Sequence, residues 1–360
     1  MDENSRAAIR NIKSRIVAML EERQQLEGGS VSAATPSKYW TDFCSFFDYM
    51  LWLPEECFSK LRLHTYHLTG DNYQTYYFGN ADSLRPLWEE SVKDIPSEYV
   101  LNEPAGGIGF DLGNGRLVSR DTLRYQHVVN TLYQYGILSS LAKADGRRRL
   151  VLEIGAGYSG LVHHLSHILP NVTYVIVDLP ETLLFSASYL TLLNPHKRTY
   201  VYQPSDTNQS VQSTIAEGFD FVLLPNYRLD ELRRLKFALV LNVASFQEMR
   251  TDQVSKYLDF IAQTCIGVFY SWNEDVQAKN KEMDNLSKML MTRFALTEVL
   301  PKQTTKRLER KEWMRVKLRG VLKSAAIHVG LLDRPKPVSE ASARTCHEYL
   351  CTRLENIAKS

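Results

Sequence analysis

The chain has 360 residues, of which 44% are hydrophobic and 23% charged, and 43 Lys and Arg stand against 41 Asp and Glu for a formal net charge of +2. That length can bury a large core and points to two packed lobes, while the charge balance argues against a nucleic-acid partner or an anionic membrane surface. The five cysteines, Cys44, Cys57, Cys265, Cys346 and Cys351, include no Cys-x-x-Cys pair, so no structural zinc is expected and a reduced, cytoplasmic setting is.

No run approaches the roughly 18 apolar residues of a membrane span, and the charged, amphipathic stretch Met1 to Leu20 does not read as a signal peptide. Two basic runs, Arg147 to Arg149 and Lys302 to Lys317, read as solvated faces: acids interleave the second and the first precedes a strand. Residues 4–27 place Ile9, Ile12, Ile16, Val17 and Leu20 at helical spacing before Glu27-Gly28-Gly29. They predict an arm that packs on the other lobe or on a second subunit, which makes a homodimer a candidate assembly. Ser30 to Ser37 reads as a linker, and Trp40 to Leu53 is densely aromatic.

Leu63 to Phe78 is rich in Tyr and His around a Gly70-Asp71-Asn72 turn. Rings there could stack on sugar faces and His67 could accept a hydroxyl proton; packing between helices of a small lobe is the simpler reading for any single ring. A glycine-dense loop, Asn102 to Phe110, and an Asn114-Gly115 hairpin signal follow. Ser119 then caps a helix running through Leu132 and Tyr135 to Gly136. Its position just before the next strand makes Arg124 and Tyr125 candidates to close over a ligand, Arg124 by pairing a carboxylate, with surface ion pairing as the alternative. His127 on the same helix is a candidate base.

The chain is organised around Val151-Leu152-Glu153-Ile154-Gly155-Ala156-Gly157-Tyr158-Ser159-Gly160, an apolar strand entering a glycine-rich turn and then a helix. Gly155, Gly157 and Gly160 match a dinucleotide spacing that by itself does not separate NAD from S-adenosylmethionine. Glu153, before the turn, would repel a pyrophosphate and attract an ammonium or sulfonium. Asp178 ends the next apolar strand, where such folds place an acid against ribose hydroxyls. The pair suits a cationic nucleoside, so S-adenosylmethionine is the expected cofactor and S-adenosylhomocysteine its product, held by Glu153, Gly155, Ala156, Gly157, Asp178 and Leu179.

From Leu150 onward strands and helices alternate, the pattern of an open parallel sheet covered on both faces. Pro180 begins a helix through Leu193, stopped by Asn194-Pro195. Thr199 to Gln203 is a candidate short strand. Phe219 to Leu224 is a third strand, whose exit Pro225-Asn226-Tyr227 lies where an adenine would be held. Phe237 to Val243 is a fourth, opening into Ala244 to Met249, and Gly267 to Trp272 a fifth, after a helix over Gln253 to Thr264. Ligands gather at the carboxyl ends of such strands. Asn242 and Val243 are therefore cofactor candidates, Ser245, Gln247, Asn273 and Tyr270 substrate candidates, and Glu248 the first choice of base ahead of His127 and His67. Glu248 could equally cap the following helix or pair with Arg250. No acidic cluster has metal spacing, so no metal is expected. Phe294 to Leu300 and Trp313 to Val321 read as an antiparallel hairpin closing the sheet edge.

Glu153 to Tyr158, Asp178 to Thr182 and Asn242 to Met249, with Glu103-Pro104 and Asp121 to Tyr125, resemble the sugar O-methyltransferase family of class I methyltransferases over roughly residues 95 to 275. The resemblance implies an α/β, Rossmann-like class I sheet and methyl transfer from S-adenosylmethionine to a small-molecule hydroxyl, on a sugar or glycosylated metabolite. Ala238 and Ser159 depart from the usual fourth-strand and first-motif residues. The implied organisation is a helical, aromatic-rich lobe over 1–95, a linking region over 96–149, the methyltransferase domain over 150–321 and a tail helix within 322–360. Another O- or N-acceptor, an NAD-dependent oxidoreductase and a cofactor-binding scaffold without turnover are the alternatives.

Overall fold

The computed structural model describes residues 1–27, 35–113, 115–143, 147–206, 210–275, 280–299 and 346–353. The first helix, α1 (Glu3–Glu27), buries Ile9, Ile12, Ile16 and Met19, the stripe its spacing predicts, against its own chain. Helix α2 (Lys38–Ser45) begins where Ser37 Oγ accepts the Trp40 N–H at 3.3 Å. Short helical turns and a two-stranded hairpin, Phe110–Asp111 with Leu117–Val118, lead to α3 (Arg120–Gln134). Ser119 and Thr122 exchange capping bonds at its start, as the sequence predicts.

The larger lobe alternates strands and helices in order. They are β1 (Arg149–Ile154), α4 (Gly160–Ile168), β2 (Val172–Asp178), α5 (Pro180–Leu193), β3 (Thr199–Val201), β4 (Phe221–Pro225), β5 (Phe237–Val243), α6 (Thr251–Thr264), β6 (Cys265–Glu274), β7 (Phe294–Glu298) and β8 (Cys346–Arg353). The eight strands form one sheet in the order β3-β4-β2-β1-β5-β6-β8-β7, parallel up to β6 and antiparallel from β8 on. This is an open, Rossmann-like α/β sheet with a mainly helical N-terminal lobe. The inner strands are apolar almost throughout because helices cover both faces. Chain order reverses at β1, whose neighbours are β2 and β5, and a crevice opens there at the carboxyl ends.

One expectation is corrected. Residues 346–353, assigned from sequence to a tail helix, are strand β8 inside the sheet, pairing Glu348 with Trp272 and Leu350 with both Tyr270 and Thr297. Two unpaired strand edges, on β6 and β7, are satisfied by this one segment, and that tertiary gain overrides its weak local preference. It takes the place beside β7 that Trp313 to Val321 was expected to fill; that stretch, Asn114 and the Pro335-to-Pro337 segment lie outside the described residues. Among the described residues no helix is long and apolar enough to cross a membrane.

Candidate cofactor and acceptor site

The crevice is a cleft, open to solvent, at the carboxyl ends of β1, β2 and β5. Its floor is the turn after β1. Gly155 has φ +71°, and a Cβ on it would stand 1.8 Å from Ser245 Oγ, so the turn and the loop after β5 meet only because that side chain is absent. Gly157, at φ +59°, faces open space, and its N–H donates to Asp178 Oδ2 at 3.0 Å. Asp178 Oδ1 accepts the Leu179 N–H at 2.8 Å. Gly155, Ala156, Gly157, Asp178 and Leu179 thus line one wall together.

Glu153 is the central acid of the cleft. It is buried, lines the cavity, and its Oε2 has no hydrogen-bond partner among the described residues. Burial, and next the charge of Asp178, push its carboxyl up to about 8. Asp178 is raised to about 6 by burial, against hydrogen bonds from Thr182, Leu179 and Gly157 that favour its charge. Two desolvated carboxylates side by side disfavour a further anion and favour a cation.

Arg124 and Tyr125 line the same cleft from α3, and Val243, Ala244, Ser245 and Glu248 from the exit of β5. Asn226 lines it as well, whereas Pro225 is buried at the end of β4 outside the lining. Asn242, Asn273 and Gln247 support the β5 exit from behind. Asn242 Oδ1 accepts the Phe246 N–H at 3.1 Å and its Nδ2 donates to the Ile154 carbonyl at 2.8 Å. Asn273 Oδ1 accepts the Ser245 N–H at 3.0 Å, and Gln247 Oε1 the Glu274 N–H at 2.7 Å. These bonds hold Ala244 at φ +53°, a left-handed conformation that costs a β-carbon residue about 1 kcal/mol.

Three further candidates stand away from the cleft lining. His67 is exposed on the N-terminal lobe, its ring stacked on Phe46 at 4.9 Å. His127 Nε2 shares a 2.6 Å hydrogen bond with Glu348 Oε2 and its ring packs on Trp272. Tyr270 is buried and donates its hydroxyl hydrogen to Glu348 Oε1 at 2.7 Å. Among the described residues no group of three or more His, Cys, Asp or Glu could hold a metal ion.

No protein-family model matches the sequence, and no curated protein matches it. Solved structures do align. An O-methyltransferase family protein from Burkholderia thailandensis aligns at 10% identity and a TM-score of 0.30 over 51% of this chain and 57% of its own, so the chain spans little more than half that protein's length. The mitomycin 7-O-methyltransferase MmcR aligns at 12% and 0.28 over 75% and 68%, and the CMeT domain of the citrinin polyketide synthase at 11% and 0.33 over 50% and 49%. Alignments of this quality assign neither an activity nor a substrate to this chain.

The remaining wall comes from residues the sequence did not single out. Pro36, Ser37, Trp40, Leu68 and Thr69 of the N-terminal lobe close the cleft opposite the sheet, with Met249, Gln253 and Tyr257 at its side. The sequence marks Ser37 only as the end of a linker and Trp40 only as the start of an aromatic stretch. Nothing in 36–40 or 68–69 says which strand ends they will face.

Proposed function

We propose that the protein is an S-adenosylmethionine-dependent methyltransferase acting on a hydroxyl of a small molecule, with a sugar or glycosylated metabolite as the acceptor that the sequence motifs favour. The observation that carries the reading is Glu153 Oε2, buried and without a hydrogen-bond partner among the described residues, facing a cleft floored by Gly155 and Gly157 beside Asp178. A buried carboxylate without a partner is costly unless a cation or donor reaches it. A dinucleotide would bring its pyrophosphate to Glu153 and Asp178 instead.

Glu153 and Asp178 would hold the donor's ammonium and ribose, Asn226 its base and Arg124 its carboxylate. The bound donor supplies an electrophilic methyl group on a sulfonium. The chain's own part is to orient the acceptor, exclude water and remove a proton. Trp40, Leu68 and Met249 offer apolar surface against which a ring can lie, and alignment in a closed cleft is worth up to about 7–11 kcal/mol of barrier in favourable cases. Glu248, half-buried in the wall, would take the hydroxyl proton as the oxygen attacks.

Calorimetry with S-adenosylmethionine, S-adenosylhomocysteine and NAD tests the reading. Binding of the first two and not of NAD is expected, followed by methyl transfer to members of a panel of hydroxylated acceptors. Failure to bind either methyl-cycle ligand overturns it.

A further inference from the structure

Among the described residues Arg124 is the only Lys or Arg in the cleft lining, and what holds it lies outside the cleft. Asp121, fully buried one helical turn earlier on α3, accepts from Arg124 Nη1 at 3.4 Å through Oδ1 and from Arg62 Nη2 at 2.9 Å through Oδ2. Arg62 is itself 2% exposed. Its Nε donates to Glu103 Oε1 at 2.7 Å, its Nη1 to Thr65 Oγ1 at 2.7 Å, and its guanidinium carbon stands 4.2 Å from the centre of the Tyr158 ring in the cofactor turn. Glu103 Oε2 is taken by the Thr122 hydroxyl at 2.6 Å.

The charges of this cluster balance: Arg62 and Arg124 against Glu103 and Asp121. Without Arg62, the two acids would leave a net negative charge beside Arg124, and a ligand carboxylate would be repelled from the cleft. With it, Asp121 can fix one edge of the Arg124 guanidinium and leave the rest unspent. Among the described residues the Arg124 guanidinium makes no other hydrogen bond. Asp71, the other acid close by, accepts the Tyr76 hydroxyl through Oδ2 and is pushed up by burial and then by Asp121, which favours its neutral form.

We propose that Asp121, neutralised from behind by Arg62, is a positioning residue that makes Arg124 a receptor for the carboxylate of a bound amino-acid nucleoside. The proposal rests on the methyl-donor reading above and adds to it a residue that touches no ligand.

The test compares two ligands of the full chain by calorimetry: S-adenosylhomocysteine, and 5′-methylthioadenosine, which lacks the amino-acid carboxylate. Loss of one charge-assisted hydrogen bond corresponds to about 10-fold or more in affinity. Asp121→Asn and Arg124→Gln should each weaken S-adenosylhomocysteine by that factor and change 5′-methylthioadenosine less than about twofold, and the double variant should bind no worse than Arg124→Gln alone. A general disturbance of the fold would weaken both ligands. Asp121→Glu keeps the charge Arg62 needs and displaces the carboxylate by one methylene; it stands in if Asp121→Asn does not fold, with the same selective loss expected. Equal losses for the two ligands, no loss for either, or additive losses in the double variant overturn this inference alone. Binding of neither ligand by the wild type overturns the methyl-donor reading and this inference with it.

Discussion

The Ser37 hydroxyl donates to the backbone carbonyl of Glu248 at 2.7 Å, so the start of α2 is tied to the loop that leaves β5. Gln253 Nε2 and Arg250 Nη1 reach the Thr35 carbonyl from the same side, at 2.8 and 3.2 Å. The N-terminal lobe is therefore fastened across the cleft where Trp40 and Glu248 face it. Ser37→Ala removes this tie and the cap of α2 together, and should cost about 1–2 kcal/mol in urea denaturation while lowering turnover more than donor affinity. Unchanged turnover at reduced stability would show that the tie does not maintain the acceptor wall.

Glu248→Gln separates binding from chemistry. The amide keeps the shape of the side chain and cannot take a proton, so S-adenosylhomocysteine affinity should stay within about twofold while turnover falls by roughly 10²–10⁴. A variant with wild-type turnover removes Glu248 from the mechanism.

The cofactor floor was legible because it is local. Glu153, Gly155, Gly157 and Asp178 sit on two adjacent strand exits, and strand period, glycine and acid are all written within one βαβ unit. The acceptor wall was not, because Ser37 reaches Glu248 across more than two hundred residues through a bond to a backbone carbonyl, an acceptor that carries no residue signature. Asn242 and Asn273 look like ligand-facing polar residues in sequence, yet Asn273 Nδ2 donates to Asn242 Oδ1 at 2.9 Å and the pair braces the loop. Strand β8 was misread for a related reason. Its pattern of buried positions alternates only in part, and what makes it a strand is the pair of edges waiting on either side of it.

Glu153 should make both stability and ligand binding depend on pH. Its folded-state carboxyl is raised to about 8 from an ordinary 4.5, so the contribution it makes is full below pH 4.5 and is lost as pH rises through 8; Asp178, raised to about 6 from 3.8, acts in the same sense at lower pH. These two carboxyls should withdraw stability from the ligand-free protein between pH 5 and pH 9, a downward slope that the buried histidines of α4 oppose below pH 7. Glu153→Gln should flatten that slope by on the order of 3 kcal/mol. Wild-type affinity for S-adenosylmethionine should rise over the same interval as the carboxylate forms, with proton release seen in buffers of different ionisation enthalpy. A pH-independent affinity would mean that Glu153 does not meet the cation.

Glu348 joins β8 to α3 and β6. Its Oε1 accepts from Thr131 Oγ1 at 2.8 Å and from the Tyr270 hydroxyl at 2.7 Å, and its Oε2 meets His127. Glu348→Leu leaves two buried hydroxyls without an acceptor and should cost about 2–4 kcal/mol, whereas His127→Gln, at a half-exposed ring, should cost under about 1 kcal/mol. Chemical denaturation of the two variants checks the ratio. If His127→Gln also abolished turnover without loss of stability, His127 would return as the base.

Acid sensitivity should come from α4. His163 and His164 are buried on adjacent positions of that helix. Burial, followed by the neighbouring histidine charges, lowers them to about 2 and about 3 from an ordinary 6.5. A depressed folded-state value means that the stability each neutral ring provides is present above pH 6.5 and declines as pH falls toward 3, because the unfolded chain binds the protons first. Each ring should withdraw about 2 kcal/mol between pH 7 and pH 5. His164→Gln removes one of these linkages while retaining a polar side chain of similar reach, and its urea-derived stability should fall correspondingly less over that interval than the wild type's. Parallel pH profiles for variant and wild type would show that His164 takes up its proton over the same pH range in the folded and unfolded states.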